Sequence, residues 1–570
     1  MNPFKKHICE VLANSTGKTF EEVALSLEVP PNNNWGNYGW PCFNMAKLMK
    51  KAPPLIALEL AEKIKPDKYI SAVSAQEPYL NFTLDKKAVI DYVCRQIFPE
   101  GKNYGKSAIG GGKKVIIEYS SPNVAKPMGI GHLRSTVIGA ALRRIYEYLG
   151  YSVISINHLG DWGTQFGKLV VAYKRWADPN KMKTDPIKEL YRIYVKIHSE
   201  AEADNAIEDE SRAMFKRLEN GDPEVVELWH NFVELSLDDF NKIYAMLGVK
   251  FDSFAGESFY QEMVAGLIRL LDEKGLPRES EGALIVPLDD YGLEPLLLRK
   301  KDGSTLYGTR DLAAAIYRHE TYDFDKMIYV VGVAQSLHFK QFFKVLELAG
   351  FDWVRNCQHV DFGWVKLGSE MMSTRLGNIV FLDDVINQTI DKAAGIIATN
   401  CPDLENRDEV ARQVGIGAVI FADLSVKRQT DVSFDWDRML DFSGYSGPYL
   451  QYAHARLSSL LRKYDGEIDI NADYGLLTLP EEYLLANSLL EFPDKIIDAA
   501  NHNEPYIIST YLLELVGLFS TYYQKYKSPK DKILSDDLRL RQARINLTYC
   551  VKTVLNSGLS ILGLEAPEKM

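Results

Sequence analysis

The 570-residue chain lacks several features that would announce a class of protein. Its six cysteines are scattered with no Cys-x-x-Cys pair, so neither a zinc ligand set nor a disulfide framework is expected. No apolar run is long enough to span a bilayer. The opening Met1-Asn-Pro-Phe-Lys-Lys starts an amphipathic segment and not a signal peptide, and a reducing cytoplasm is the expected compartment. Basic residues are outnumbered, 66 Lys and Arg against 77 Asp and Glu, for a net charge of −11. That balance disfavours a non-specific polyanion binder, so any nucleic-acid contact must come from local sites. Low-complexity bias is missing as well, and the length implies several globular domains.

Two common phosphate-binding motifs are also absent. A dinucleotide fingerprint needs a third glycine after Gly129 and Gly131, where Arg134 stands. A P-loop must follow a strand, whereas Gly110-Gly-Gly-Lys113 precedes one and continues into Lys114. What is present is a βαβ pattern between Lys114 and Ile156. Val115-Ile-Ile-Glu-Tyr119 reads as a buried strand, and Val137, Ile138, Ala141, Leu142, Ile145 and Leu149 recur at helical spacing. Gly150 caps that helix, and Tyr151-Ser-Val-Ile-Ser-Ile156 is the second strand. Such a unit makes the strands parallel. Its first loop is long and polar, with Asn123, Lys126, Gly129, Gly131 and His132 where ligands of open α/β sheets bind.

Gly-Ile-Gly-His132 resembles the H-I-G-H signature of class I aminoacyl-tRNA synthetases, with Gly129 in place of the first histidine. The wider strings Ser121-Pro-Asn-Val-Ala-Lys-Pro-Met-Gly-Ile-Gly-His-Leu-Arg-Ser-Thr136 and Asn157-His-Leu-Gly-Asp-Trp-Gly-Thr-Gln-Phe-Gly167 resemble the arginyl-tRNA synthetases specifically. Met371-Met-Ser-Thr-Arg375 resembles a degenerate K-M-S-K-S loop, lacking both lysines.

The resemblance implies an α/β fold with three parts. Residues 1–112 would be an α+β additional domain touching the tRNA elbow, with Tyr38, in an aromatic loop, as the candidate contact. Residues 113–441 would be a Rossmann-like parallel-sheet catalytic domain, with a connective insertion at about 175–280. The charged run Glu200–Glu210 within it reads as a solvated helix face. Residues 442–570 would be a helical anticodon-binding domain, with Tyr449, Tyr452 and Arg456 as candidate tRNA contacts.

The implied reaction is ATP-dependent activation of L-arginine to arginyl adenylate, followed by transfer to the 3′-terminal adenosine of tRNA for arginine. ATP would enter as its Mg2+ complex, with no structural metal and no membrane partner, in a protein expected to act as a monomer. The expected catalytic residues are Lys126, His132, Ser373 and Arg375, with Lys366 a further cation. Pro122, Asn123, Lys126, Gly129, Gly131, His132 and Met372 are expected to hold ATP. A guanidinium is planar, permanently charged and has five donors, so its pocket needs carboxylates. Glu118, Asn123, Tyr307, Asp311 and Gln335 map onto the family's arginine-binding positions, although an Asp before a helix can also be a simple N-cap. The family resemblance further implies attack by the 2′-hydroxyl and arginine activation only with tRNA present.

Two alternatives remain at this level. One is another nucleotidyltransferase of the H-I-G-H type, and the other a catalytically dead tRNA-binding paralogue, motivated by the two weakened signatures. In this family a lysine just before the first signature is thought to take over from the missing loop lysine, and Lys126 stands there. Lys126→Ala is therefore expected to impair adenylate formation, and a variant that forms the adenylate normally would remove Lys126 from that role.

Overall fold

A computed structural model describes every residue except Met1, Asn33, Asn34, 367–379 and Phe434. Four parallel strands form its central sheet: β1 (Lys114–Glu118), β2 (Ser152–Ile156), β3 (Lys326–Gly332) and β4 (Cys357–Phe362), in the order β4-β3-β1-β2. The chain leaves β1 on one side to build β2 and returns on the other as β3. That reversal opens a crevice beyond the carboxyl ends of β1 and β3, where open α/β sheets bind ligands. Val115, Ile116 and Ile117 are fully buried, as strands covered on both faces require.

The helices that carry the site are α1 (Gly131–Tyr148), α2 (Thr164–Trp176), α3 (Pro186–Ala203), α4 (Asn205–Glu219), α5 (Pro223–Met246), α6 (Tyr307–Tyr322), α7 (Ser336–Leu348), α8 (Arg407–Leu424) and α9 (Gly447–Arg462). Helix α1 crosses from β1 to β2, and its Gly139 lies under the Tyr119 ring. A Cβ there would come within 2.1 Å of that ring.

Between β2 and β3 the chain inserts the helical block α2–α5 and then a three-stranded antiparallel sheet, Arg278–Ser280, Ala283–Val286 and Leu296–Arg299. The run expected as one charged helix around Glu200–Glu210 is broken. Helix α3 ends at Ala203, and the Asp204 side chain caps α4 by accepting from the Ala206 amide.

The N-terminal region holds an antiparallel sheet, Tyr38–Pro41, Tyr79–Leu84 and Ile70–Gln76, covered by helices that include Pro3–Thr16 and Pro53–Lys63. Helix Lys86–Glu100, whose Val89, Ile90, Val93, Cys94 and Ile97 recur at helical spacing, joins this region to the helices Pro480–His502 and Leu538–Leu562 near the other end of the chain. From α9 onward all the labelled elements of regular length are helices. No helix among the described residues is long and apolar enough to cross a membrane.

Gly139→Ala should cost about 1–3 kcal/mol through overpacking against Tyr119. The check is a lowered thermal unfolding midpoint with the far-UV helix signal retained.

Candidate active site

The loop after β1 is strained and heavily braced. Ser120, Ser121 and Ala125 all take left-handed backbone conformations, at φ of 70°, 47° and 61°. Non-glycine residues adopt these only where surroundings over-determine them. The Ser120 amide donates to Ser135 Oγ at 2.9 Å, and that hydroxyl donates to the Val330 carbonyl of β3 at 2.7 Å. Asn157 accepts from the Ser121 amide at 3.1 Å and donates to Tyr244 Oη at 2.9 Å. Tyr244 in turn meets Ser120 Oγ at 2.8 Å, and the Ala125 amide donates to Ser236 Oγ at 2.8 Å. Backbone pairing with Gly160 completes the brace: a Cβ at that position would lie 2.3 Å from Asn123 Oδ1. The two sequence strings are thus one structural unit, the second holding the first in shape.

The braced loop presents Asn123 and Lys126 to a cavity of about 1110 Å³, whose walls also include Tyr307, Gln335, Trp162 and Tyr194. Lys126 Nζ sits 4.3 Å from the centre of the Tyr194 ring and 3.5 Å from Gln165 Oε1. Pro122 is buried beside it. Helix α3, which supplies Tyr194, carried no sequence signal for the site.

His132 lies in the first turn of α1. Its Nδ1 lies 3.1 Å from the Gly129 amide nitrogen and 3.2 Å from the Gly129 carbonyl oxygen. Burial pulls its pKa below the ordinary histidine value, the Gly129 contact opposes that, and Lys126 adds to it. Gly131 is exposed, and a Cβ there would meet only open space. Gly129 corrects the expectation that it lies open to nucleotide: it is buried, its amide goes to His132, and it forms a β-bridge with Phe381.

Ser373, Arg375 and Met372 fall outside the described residues. Both flanks of that segment are pinned. Val380 accepts from the Ile130 amide at 3.0 Å, and Val365–Lys366 pairs in parallel with Val432–Ser433. Lys366 Nζ lies 2.6 Å from Asp431.

The expected arginine-binding carboxylates differ sharply. Glu118 is buried and already holds a guanidinium of the chain itself: Arg318 Nη1 donates to its Oε2 at 2.5 Å. It is a support behind the pocket and not an open carboxylate. Asp311 is the fifth residue of α6, whose N-cap is Leu306, so the N-cap alternative fails. Its Oδ2 accepts from His338 Nε2 at 2.8 Å, and its Oδ1 stands 3.5 Å from His158 Nε2. Its side chain is 25% exposed. Burial raises its pKa, but the two histidines outweigh burial and hold it well below the usual carboxylate range. Burial pulls His158 down, yet Asp311 and Glu118 carry it above the ordinary value. Arg318 also reaches His158 Nδ1 at 3.2 Å. Arg318 escaped sequence reasoning. The available signal was its position seven residues after Asp311, on the same helix face.

Comparison with known proteins decides the family. A family model described as "tRNA synthetases class I (R), catalytic domain" matches residues 94–436. "DALR anticodon binding domain" matches 450–570, and "Arginyl tRNA synthetase N terminal domain" matches 2–84. An arginine–tRNA ligase of Halothermothrix orenii is 48% identical over the whole of both chains. One of Clostridioides difficile is 48% identical over 96% of each. The chain belongs to the arginyl-tRNA synthetase family. It is an enzyme of the ligase class, among the ATP-dependent class I synthetases. The arginyl-tRNA synthetase structure from Thermus thermophilus superposes with a TM-score of 0.83 at 26% identity, covering 99% of this chain and 100% of that one. The Plasmodium falciparum structure shares the fold, with a TM-score of 0.80 at 23% identity over 100% of both chains.

In this synthetase the expected tRNA contacts fall into two groups. Tyr38 is a correction: its ring is buried in the N-terminal core, and its hydroxyl accepts from Asn2 Nδ2 at 2.8 Å, so it offers no surface to RNA. Tyr452 is exposed on α9, with the Arg456 guanidinium 4.7 Å from its ring centre and 5.4 Å from that of Tyr523. Tyr449, on the same helix, is half-buried with its hydroxyl 3.4 Å from Ser520 Oγ. Among the described residues no group of His, Cys, Asp or Glu is arranged to hold a metal ion.

A histidine raised on folding adds stability below its unfolded pKa of about 6.5, and loses it as pH rises through the folded value. Asp311→Asn removes the main attraction and should bring the His158 pKa down, narrowing that window. Imidazole NMR titration of the two proteins checks this, with His132 titrating below the ordinary value in both.

Proposed function

We propose that this synthetase activates L-arginine with ATP in the crevice between β1 and β3, then transfers it to the 3′-terminal adenosine of tRNA for arginine. The observation that carries this reading is Asp311: a carboxylate, partly exposed, with Oδ2 taken by His338 and Oδ1 at 3.5 Å from His158. It sits one turn after Tyr307, which lines the cavity together with Asn123, Gln335 and Lys126. Oδ1, whose contact with His158 is the longer of the two, is the oxygen left to accept a substrate guanidinium. Tyr307, one turn earlier, supplies an apolar face on which the planar group can lie. A lysine substrate has no second N–H in the same plane, which gives arginine its advantage.

In the first step the arginine carboxylate attacks the α-phosphate of MgATP, and pyrophosphate leaves. Such a transfer asks the protein for in-line placement and compensation of negative charge. His132 Nε2–H donates to phosphate at the start of α1, where backbone amides reinforce it. Lys126 supplies the mobile cation for the leaving pyrophosphate, and Gly131 leaves room for the nucleotide to come against the helix start. In the second step a ribose hydroxyl of the terminal adenosine attacks the adenylate. The Tyr452–Arg456–Tyr523 cluster is a stacking surface suited to unpaired anticodon bases.

The test is arginine-dependent ATP–pyrophosphate exchange, with and without tRNA for arginine. Exchange that requires tRNA, or proceeds without it, supports synthetase activity. Absence of exchange in both conditions with tRNA still bound would mean a tRNA-binding paralogue. Asp311→Ala is expected to raise the KM for arginine by a hundredfold or so, the scale of a lost charge-assisted contact, with the KM for ATP nearly unchanged. Equal effects on both would refute the assignment.

A further inference from the structure

Two residues after His132, Arg134 is wholly enclosed, at 0% exposure. Its Nε faces Asp423 Oδ2 of α8 at 3.0 Å, and Asp423 is 3% exposed. Its Nη1 donates to the Thr430 carbonyl at 2.8 Å, and the guanidinium lies 5.8 Å from the centre of the Phe362 ring at the end of β4. Among the described residues, Arg134 Nε and Nη2 and Asp423 Oδ1 have no hydrogen-bond partner, so the contact with Asp423 is an ion pair only. A buried ion pair left partly unsatisfied is a poor source of stability, since apolar side chains of similar volume hold a core as well or better. What the pair does supply is a definite geometry at three places.

Each of those places borders the phosphate site or the helical C-terminal region. Thr430 belongs to a segment that wraps the end of β4. The Arg428 carbonyl accepts from the Gly363 amide at 2.9 Å, and the Trp364 amide donates to Asp431 Oδ1 at 2.9 Å. The Arg428 amide donates to Glu504 at 3.3 Å, beyond helix Pro480–His502. Helix α8 packs on α9. At the other end, the backbone of α1 just before Arg134 holds His132, whose ring Nδ1 is in contact with Gly129.

We propose that Arg134, gripped by Asp423 and the Thr430 carbonyl, is a positioning residue that sets where His132 presents its Nε2–H to ATP and ties that placement to the C-terminal helices. The proposal rests on the reading of His132 as a phosphate donor, but it makes a separate claim about where the ring is held.

The double variant Arg134→Met/Asp423→Leu replaces the pair with apolar side chains. It should keep the wild-type thermal midpoint or exceed it. Its kcat/KM for ATP in the exchange reaction should nevertheless fall at least tenfold or so, as small misplacements of catalytic groups do. The KM for arginine should stay within about twofold, because the Asp311 side is untouched. Wild-type kcat/KM for ATP in the double variant would overturn the proposal and leave the pair a core filler. If the double variant fails to fold, Arg134→Lys, which keeps the charge but loses the fork, gives the same reading: wild-type kinetics overturn it, and a selective loss on ATP supports it. The His132 ring signal in histidine-labelled NMR, assigned with His132→Gln, reads placement without activity. It should shift in the variant, and an unmoved signal overturns the proposal even if the wild-type protein itself shows no exchange.

Discussion

A carboxylate buried at the end of a parallel strand must find a cation, and Glu118 finds Arg318. The rest of the site follows from that pair. Arg318 lies two turns along α6 from Asp311, and seven residues of helix bring the chain back to nearly the same face. Pairing Glu118 with Arg318 therefore fixes the rotation of α6 about its own axis and turns Asp311 toward the crevice. The same guanidinium touches His158, which follows β2, so one ion pair registers two strands and a helix against each other. Glu118 shapes the proposed arginine pocket from behind, through Arg318.

A chain of polar contacts runs around the pocket, from Glu118 through Arg318, His158 and Asp311 to His338. Each group is buried enough to be costly alone and is answered by its neighbour. Such a chain resists rearrangement, because moving one member exposes the next. The phosphate side is built differently. There the strain of three left-handed residues is held by hydroxyls and amides, Ser120, Ser135, Ser236, Tyr244 and Asn157, and the ionisable groups are left to face the cavity. A rigid frame of ionisable groups thus lies around Asp311, while a strained frame of hydroxyls and amides lies around the loop after β1.

Much of this was legible in the sequence, and what was not has a common cause. The strands β1 and β3, helix α1 and the two family strings announce themselves locally, through apolar runs, helical spacing and residue order. Asp311 and Lys126 were reachable because they sit beside those landmarks. Arg318 was harder to find, since its partner lies 200 residues away and the local signal is only its place seven residues after Asp311. Tyr38 was misplaced for the same reason: among asparagines, glycines and a proline it looks like part of an exposed loop, yet it begins a strand that pairs with Tyr79–Leu84 and points into a core. Gly129 resembled a landing place for nucleotide, but β-pairing with Phe381, some 250 residues further on, takes its backbone away. Helix α3 reads as a charged solvated stretch, and only the folded chain brings its Tyr194 over Lys126.

Helix Lys86–Glu100 has a consequence for the order of events on the ribosome. Val89, Ile90, Val93, Cys94 and Ile97 are buried, and the helices this element packs on are Pro480–His502 and Leu538–Leu562. Phe98 stacks on Tyr549 at 4.8 Å, and Tyr104 donates to the Leu489 carbonyl at 2.9 Å. These partners are translated several hundred residues later. Until the last helix emerges, an apolar stripe made early has no place to go, and a non-local closure of this kind is slow. The N-terminal region can fold as it is made, but its seat exists only once Leu538–Leu562 has been made, so the half-made chain is the species most in need of chaperone cover.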